Sequence, residues 1–368
     1  MQLGFRTDPI QVLGCDLRDL GTRHRIKRFN AMTKEQTALL KGVAILMMLF
    51  LHLFNNPSLG DYCRPMVYLD GKPLVYIVSR ACSPVGIFLM LSGYGLSYIN
   101  FHGTLSLKNQ FKRLLKLYIH YWITLLVFVS VGCFVRPERY PGSPTDVLMN
   151  VTSLSSSYNS ETWFLFPYML LSLTSMQIFR CMDRIGIARS LIISWGLYMV
   201  SCYVISRYVA PAKAYTEWYS YVLTYFDVLF PFAIGAAFHR QTEKGRASSP
   251  FLHSHRTVTS ILLFSLFIVN CLISSAATSY LFEFSYIYLL SHININGMTR
   301  RFLITMGRHS MVMWLTHSYF CYHLFHDFIY GFRYPLVIYV ILIAISYGVS
   351  LPISRLAQAV IRRVPFLR

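Results

Sequence analysis

Charge is scarce in this 368-residue chain. Charged residues make up 13% of it, about half of the roughly 25% that a soluble domain carries. Acidic residues are rarer still, with 15 Asp and Glu against 34 Lys and Arg. So little charge in so long a chain excludes an ordinary soluble enzyme and a disordered protein.

Several enzyme motifs are missing as well. The eight cysteines contain no CxxC pair and no Cys/His group with the spacing of zinc ligands. The sequence also has no HExxH helix, no GxSxG nucleophile turn and no glycine-rich phosphate loop. We therefore predict no metal site, and any chemistry must come from other residues.

What the chain does have is long apolar runs. Apolar residues make up 55% of it and aromatic residues 16%. Runs of about 17–25 apolar residues are long enough to cross a bilayer, where only a helix satisfies every backbone polar group. Ten such runs lie near residues 36–55, 75–99, 117–135, 163–179, 190–208, 219–238, 257–275, 277–291, 309–326 and 335–354. The seventh and eighth nearly fuse, so nine spans is the alternative. The sequence predicts an all-α polytopic membrane protein with about ten transmembrane helices.

The basic residues orient these helices. Of the 34 Lys and Arg, 26 fall in the segments that would face one side of the membrane and 8 in those facing the other. Such an asymmetry marks the side rich in Lys and Arg as cytoplasmic. We therefore expect both termini in the cytoplasm and a place in the cell membrane, which for a bacterium is the inner or plasma membrane. The net charge of +19 then needs no nucleic-acid partner.

The first 31 residues differ from the rest, with six basic residues and no apolar run. We interpret 1–31 as a basic leader from an over-extended start ahead of Met32. The alternative is a cytoplasmic tail resting on anionic lipid. Residues 32–368 would then form a single transmembrane domain.

Ionisable residues inside apolar spans are costly and are therefore functional candidates. Lys41 and His52 lie eleven residues apart on the first span, which places them on one helix face about 16 Å apart along its axis. A cation near the cytoplasm and an imidazole in the outer half suit an anionic cytosolic donor and a more external acceptor. The alternative is a snorkelling lysine and a packing histidine.

Four further charged residues are candidates. Arg113 and Lys116 share a face at the inner end of the third span, where they could bind phosphates or simply orient the helix. Glu161, before the fourth span, could orient a base, hold a sugar hydroxyl or complement a helix N-terminus. Asp227, in the outer half of the sixth span, could pair with His52 or with Arg80.

These stretches together resemble the integral-membrane acyltransferase-3 family from about Lys34 to the C-terminus. Five motifs in order carry the resemblance: Lys41-Gly42-Val43-Ala44-Ile45-Leu46 with His52; Gly86-Ile87-Phe88-Leu89-Met90-Leu91-Ser92-Gly93-Tyr94; Arg113-x-x-Lys116-Leu117-Tyr118; Trp163-Phe164-Leu165; and Gly307-Arg308-His309-Ser310 leading to Trp314-Leu315-Thr316-His317. Lys41 and Lys116 stand where the family usually has Arg. They keep the charge but lose bidentate phosphate geometry.

The resemblance implies a membrane-bound O-acyltransferase. It would move an acyl group, acetyl first of all, from acetyl-CoA or another acyl-CoA to a hydroxyl of a cell-surface or lipid-linked glycan. Its partners would be acyl-CoA, this glycan and membrane lipids. His52 would be the general base or a transient acyl carrier, oriented by Glu161 or Asp227. Lys41, Arg113 and Lys116 would hold phosphates of the CoA donor. The alternatives are a glycan or lipid transporter and a polysaccharide polymerase, neither with acyl-transfer chemistry.

Overall fold

The computed structural model describes residues 32–247, 249–273 and 275–367. The basic leader predicted at 1–31 lies outside these residues. Within them the protein is helical apart from one small antiparallel ribbon, in which β1 (Tyr68–Leu69) pairs with β2 (Lys72–Pro73). The all-α architecture predicted from the apolar runs is confirmed.

Fifteen α-helices follow one another in this part of the chain: α1 (Lys34–Phe54), α2 (Leu74–Ser79), α3 (Pro84–Phe101), α4 (Leu107–Val135), α5 (Pro144–Val151), α6 (Leu165–Ile185), α7 (Ile187–Val204), α8 (Ala210–Ala212), α9 (Trp218–Glu243), α10 (Pro250–Ser254), α11 (Arg256–Leu272), α12 (Ala276–His292), α13 (Gly297–Ser318), α14 (His326–Tyr330) and α15 (Pro335–Arg363). Two π-helical turns, Ile205–Val209 and Tyr319–His323, continue α7 and α13. Short 3₁₀ turns lie at Leu59–Asp61, Ser160–Thr162 and Pro365–Leu367.

Each of the ten predicted apolar runs lies on a helix. Seven helical segments in the described residues are long and apolar enough to cross a membrane: Lys34–Phe54, Leu74–Phe101, Leu107–Val135, Ser160–Ile185, Ile187–Ala212, Trp218–Glu243 and Pro335–Arg363. The other three runs correspond to α11 and α12, each of 17 residues, and to α13. The multi-pass character is thus borne out, whereas the number of ten and the orientation stay predictions.

The packing of α1 against α13 brings together the helices that carry His52 and His317. Two glycines permit this contact. A Cβ on Gly42 would lie 2.0 Å from the carbonyl oxygen of Leu303, and one on Gly307 would lie 1.7 Å from that of Ala38. Real Cβ atoms do not come so close, so the helix backbones can meet here only at glycine. This close approach aligns the end of α1 with the end of α13.

Local signals set where these two helices begin and end. Thr33 and Gln36 form a capping box at the start of α1, which satisfies backbone donors that no helical carbonyl reaches. At its other end α13 changes into the π-helical turn Tyr319–His323. Such turns re-aim side chains and are frequent at functional sites. Here the turn carries Tyr322 to the backbone of His52.

Candidate active site

A histidine and a glutamate from distant parts of the chain meet at the centre of the site. His52 Nε2, near the end of α1, lies 3.0 Å from Glu161 Oε2, and each side chain is 16% exposed. Glu161 stands in the 3₁₀ turn Ser160–Thr162 that leads into α6. A carboxylate this close to an imidazole can orient the ring and exchange a proton with it.

The second nitrogen of His52 faces a tyrosine. Its Nδ1 lies 3.2 Å from the Tyr322 hydroxyl, and that hydroxyl donates to the His52 carbonyl oxygen at 2.5 Å. The contacts on both sides hold the ring in one orientation. Tyr322 is 41% exposed, so this nitrogen lies toward the open side of the pair.

A second histidine completes the cluster. The ring of His317 lies 5.0 Å from that of His52, between centroids, and it interacts electrostatically with Glu161. Its Nδ1 is 2.8 Å from the carbonyl oxygen of Trp314, and this contact places the proton on Nδ1. His317 is fully buried, and its Nε2 has no hydrogen-bond partner among the described residues. A buried nitrogen left with a free lone pair beside two other ionisable groups is suited to proton transfer.

Asn159 fixes the turn that carries the glutamate. Its Nδ2 donates to the Leu315 carbonyl oxygen at 2.8 Å. Its Oδ1 accepts from Ser318 Oγ at 2.6 Å and from the backbone N–H of Glu161 at 3.1 Å. Because Asn159 is buried, these bonds are protected from water and hold Glu161 against α13.

The three predicted donor-binding cations line one cavity. The cavity has a volume of about 470 Å³ and lies between α1, α3, α4, α6 and α13. Lys41 enters it from α1, while Arg113 and Lys116 enter it from α4. Its remaining walls are mixed, formed by Thr37, Phe88, Leu89, Leu91, Ser92, Gly95, Ile99, Leu114, Leu117, His120, Phe164, Tyr168, Ser172, Ser310, Met311 and Trp314. Three cations converging on a partly apolar cavity suit a ligand that is anionic at one end and apolar at the other.

A buried glutamine positions one of these cations. Gln110 is fully buried, and its Oε1 accepts from Arg113 Nη1 at 2.9 Å. Its Nε2 donates at 3.0 Å to the carbonyl oxygen of Ser172 and to Ser175 Oγ on α6. Gln110 therefore fixes the guanidinium of Arg113 before a ligand binds. This lowers the entropy lost when the guanidinium binds an anion.

Trp314 connects the cavity with the ionisable cluster. Its indole lines the cavity and stacks on Phe164 with ring centroids 4.4 Å apart. Its Nε1 donates to the backbone carbonyl oxygen of Glu161 at 2.9 Å, and its own carbonyl oxygen holds His317. One residue thus touches both the cationic cavity and the histidine–glutamate pair.

Of the two carboxylates predicted to orient His52, the structure places Glu161 beside it. Asp227 lies on α9, where its Oδ1 accepts from Cys202 Sγ on α7 at 3.8 Å. Sequence reasoning could not choose between them because the rotation of each helix is set by packing. It also gave no role to Asn159, Gln110 or Tyr322, which are uncharged and recognisable only through their tertiary contacts.

Comparison with known proteins identifies the family of the chain. No curated protein and no solved structure gives a significant match. A protein-family model described as an acyltransferase domain, that of the acyltransferase-3 family, matches residues 38–355. The match includes His52, Glu161, His317 and the three cavity cations Lys41, Arg113 and Lys116. The chain therefore belongs to this family of membrane acyltransferases, as the sequence resemblance predicted.

Proposed function

We propose that this membrane acyltransferase moves an acyl group, acetyl first of all, from acyl-CoA to a hydroxyl of a cell-surface or lipid-linked glycan. The observation that carries the proposal is the juxtaposition just described. A cavity lined by Lys41, Arg113 and Lys116 adjoins the His52–Glu161 pair through Trp314. A cationic donor site next to an acid–base pair is what acyl transfer from CoA requires.

The cavity matches the two ends of an acyl-CoA. Lys41, Arg113 and Lys116 would bind its phosphates by charge-assisted hydrogen bonds. The apolar side chains of Phe88 and Leu89, with Tyr168 beside them, would pack along its pantetheine arm. The thioester would then lie toward Trp314 and Phe164, where the cavity meets the cluster.

The His52–Glu161 pair supplies the proton chemistry in the manner of a catalytic triad. The carboxylate orients the imidazole through one ring nitrogen, and the other ring nitrogen acts as the base. In the structure the Tyr322 hydroxyl gives its proton to the His52 carbonyl oxygen. When the acceptor hydroxyl displaces it, Glu161, 3.0 Å from Nε2, would favour the proton on that nitrogen and leave Nδ1 to act as the base. The acceptor hydroxyl takes the position of the Tyr322 hydroxyl, 3.2 Å from Nδ1. Nδ1 removes its proton, the hydroxyl oxygen bonds to the thioester carbon, and the carbon–sulfur bond breaks.

The leaving CoA thiolate must regain a proton, and His317 offers a route. Its free Nε2 lies in the cluster beside His52 and Glu161, and its Nδ1 is bonded to Trp314, which lines the donor cavity. His52 would pass the proton of the acceptor to Nε2 of His317, and the same nitrogen would return it to the thiolate, while the Trp314 carbonyl oxygen fixes the ring. Transient acylation of His52 is the other course open to the same residues.

The proposal is tested by following labelled acetyl groups. Membranes containing the protein, given acetyl-labelled acetyl-CoA, should transfer label to glycan in a form that mild alkali removes, as expected for an ester. Membranes from cells lacking the gene should not do so. If deletion instead lowers the amount of glycan and leaves its O-acetyl content per sugar unchanged, a transporter or polymerase would replace the acyltransferase proposed here.

A further inference from the structure

A second cavity lies on the membrane domain away from the site. It has a volume of about 550 Å³, runs along α9 between α7 and α12, and shares no lining residue with the donor cavity. Its floor is buried and apolar, formed by Phe230, Ala237 and Phe238. Its rim is exposed, with Ile192 67% and Leu281 60% exposed. An apolar groove with exposed apolar edges on a membrane-spanning helix faces hydrocarbon chains.

The groove has polar side chains at one end. Along α9 its lining changes from Phe230 to Gln241, and eleven residues of helix are about 16 Å long. That length matches one leaflet of a bilayer whose hydrocarbon core is about 30 Å thick. Gln241 and Arg246 lie where α9 ends, on the side that the basic residues predict to be cytoplasmic. The groove therefore has the length and polarity of a lipid molecule in that leaflet.

The helix end holds the two polar side chains together. Gly245, with φ of +69°, ends α9 in the left-handed conformation. The N–H of Gly245 donates to Thr242, and that of Arg246 donates back to Gln241, both at 2.9 Å. This is the Schellman arrangement that favours glycine, and it folds Arg246 back beside Gln241. The position of the arginine is thus fixed by the backbone.

These two side chains offer complementary chemistry. Gln241 Oε1 is buried and has no hydrogen-bond partner among the residues that the structure describes. A ligand that donates a hydrogen bond to this oxygen would satisfy it. Arg246 is exposed at the mouth of the groove and provides N–H groups suited to a phosphate. A phospholipid headgroup with a hydroxyl or ammonium group satisfies both.

We propose that this groove is a phospholipid site. One acyl chain lies along Phe230, Ala237 and Phe238, and the phosphate is bound by Arg246. A donor group of the headgroup, as in phosphatidylglycerol, bonds to Gln241 Oε1. The site is separate from the donor cavity and does not depend on the proposed acyl transfer.

The test counts lipid bound to the purified full-length protein by native mass spectrometry during titration with phosphatidylglycerol or phosphatidylcholine. The second lipid has a phosphate but no headgroup donor. The wild type should bind one phosphatidylglycerol saturably and prefer it to phosphatidylcholine. Arg246→Gln should weaken binding of both lipids about tenfold, the scale of a charge-assisted bond. Gln241→Leu should remove only the preference.

Lys244→Gln is the matched control, since Lys244 is an exposed cation on the same helix end but does not line the groove. It should leave binding unchanged. Thermal inactivation midpoints close to that of the wild type would show that the variants are folded. Non-saturating binding, or equal retention by the wild type and Arg246→Gln, would overturn the proposal. Equal weakening by Lys244→Gln would do so as well, because it would reduce the effect to general surface charge.

Discussion

Two histidine–glutamate pairs within the described residues have similar side-chain separations but very different surroundings. His52 Nε2 and Glu161 Oε2 are 3.0 Å apart and join two distant segments, and both side chains are 16% exposed. His239 Nε2 and Glu243 Oε1 are 3.3 Å apart on successive turns of α9, with the histidine fully buried and the glutamate 29% exposed. The first pair depends on the tertiary fold, whereas the second is local to one helix.

Their surroundings differ more than their distances. The ring of His239 is enclosed by aromatic rings, with Tyr94 at 5.1 Å and Tyr98 at 5.7 Å between centroids. Its Nδ1 is bonded to Ser97 Oγ at 3.0 Å. The Nδ1 of His52 instead lies beside Tyr322, which is 41% exposed. We therefore expect the surroundings of the second ring nitrogen to determine whether such a pair serves packing or chemistry.

The largest contrast expected between the two pairs is the side of the membrane toward which each one lies. The charge asymmetry predicts that the His52 pair lies toward the outside and the His239 pair toward the cytoplasm. In intact cells expressing a cysteine-free background, Ser143→Cys, in the loop before α5, should react with a membrane-impermeant maleimide. Thr104→Cys, between α3 and α4, should react only after lysis. The reverse pattern would invert the orientation and remove the proposed route from cytosolic donor to external acceptor.

The next contrast is in activity. His52→Gln keeps the size of the side chain and some hydrogen bonding but removes the base. We expect acyl transfer in membranes to fall by on the order of 10²-fold or more, the contribution of a general base, at unchanged expression. His239→Gln, made alongside, should retain near-normal transfer per molecule. Equal losses in both variants would mean that the comparison separates nothing functional, and near-normal transfer by His52→Gln would refute the mechanism.

These two histidines also show how much of the fold and of the site can be predicted from the sequence. The apolar runs predicted the helices because the hydropathy of a membrane span is a property of the segment alone. The cost of an imidazole in an apolar span selected His52. The convergence of Lys41, Arg113 and Lys116 on one cavity accords with their predicted shared role, although their binding of a donor stays a prediction.

What the sequence could not predict depends on contacts between helices. Glu161 and Asp227 were equal candidates because no pattern reveals which carboxylate faces α1. Asn159 and Gln110 act through buried bonds to backbone atoms of other helices, and neutral amides give no hydropathy signal of such a role. Trp314 was visible as part of a motif, but its position between cavity and cluster follows only from packing.

A smaller loss should follow when the carboxylates are neutralised. Glu161→Gln leaves His52 in place but removes the charge that stabilises its protonated form, so turnover should fall by on the order of tenfold, less than in His52→Gln. Glu243→Gln, the partner change in the second pair, should keep full turnover because that glutamate is paired with the enclosed His239 ring and does not line the donor cavity. The two values are compared as kcat at saturating acetyl-CoA. A Glu161→Gln enzyme with wild-type kcat would make the 3.0 Å contact merely structural.

The donor cavity should respond in affinity and not in turnover. Replacing Arg113 and Lys116 together by Gln removes charge-assisted phosphate contacts, so we expect the KM for acetyl-CoA to rise roughly tenfold with kcat little changed. Lys108→Gln combined with Arg189→Gln removes the same charge from exposed positions outside the cavity and should leave KM unaltered. If both double variants behave alike, the two residues are orientation charges.

The smallest effect expected is on thermal stability, where a change at His239 should matter more than a change at His52. His239 is fully buried and bonded to Ser97, so His239→Leu preserves much of the volume but leaves a buried hydroxyl without its partner. An unsatisfied buried group costs about 1–3 kcal/mol, which in a protein of this size lowers the midpoint of thermal inactivation by roughly 1–4 °C. His52→Leu removes a ring that is 16% exposed. Tyr322 keeps its bond to the backbone carbonyl oxygen at position 52, and Glu161 keeps its bond from Ser160, so this change should shift the midpoint less. The measurement is residual binding of a conformational antibody or loss of the native chromatographic peak after heating in detergent, neither of which depends on activity. A packing histidine is thus expected to reveal itself by stability and a reactive one by turnover, and a greater loss of stability in His52→Leu than in His239→Leu would contradict the division drawn between the two pairs.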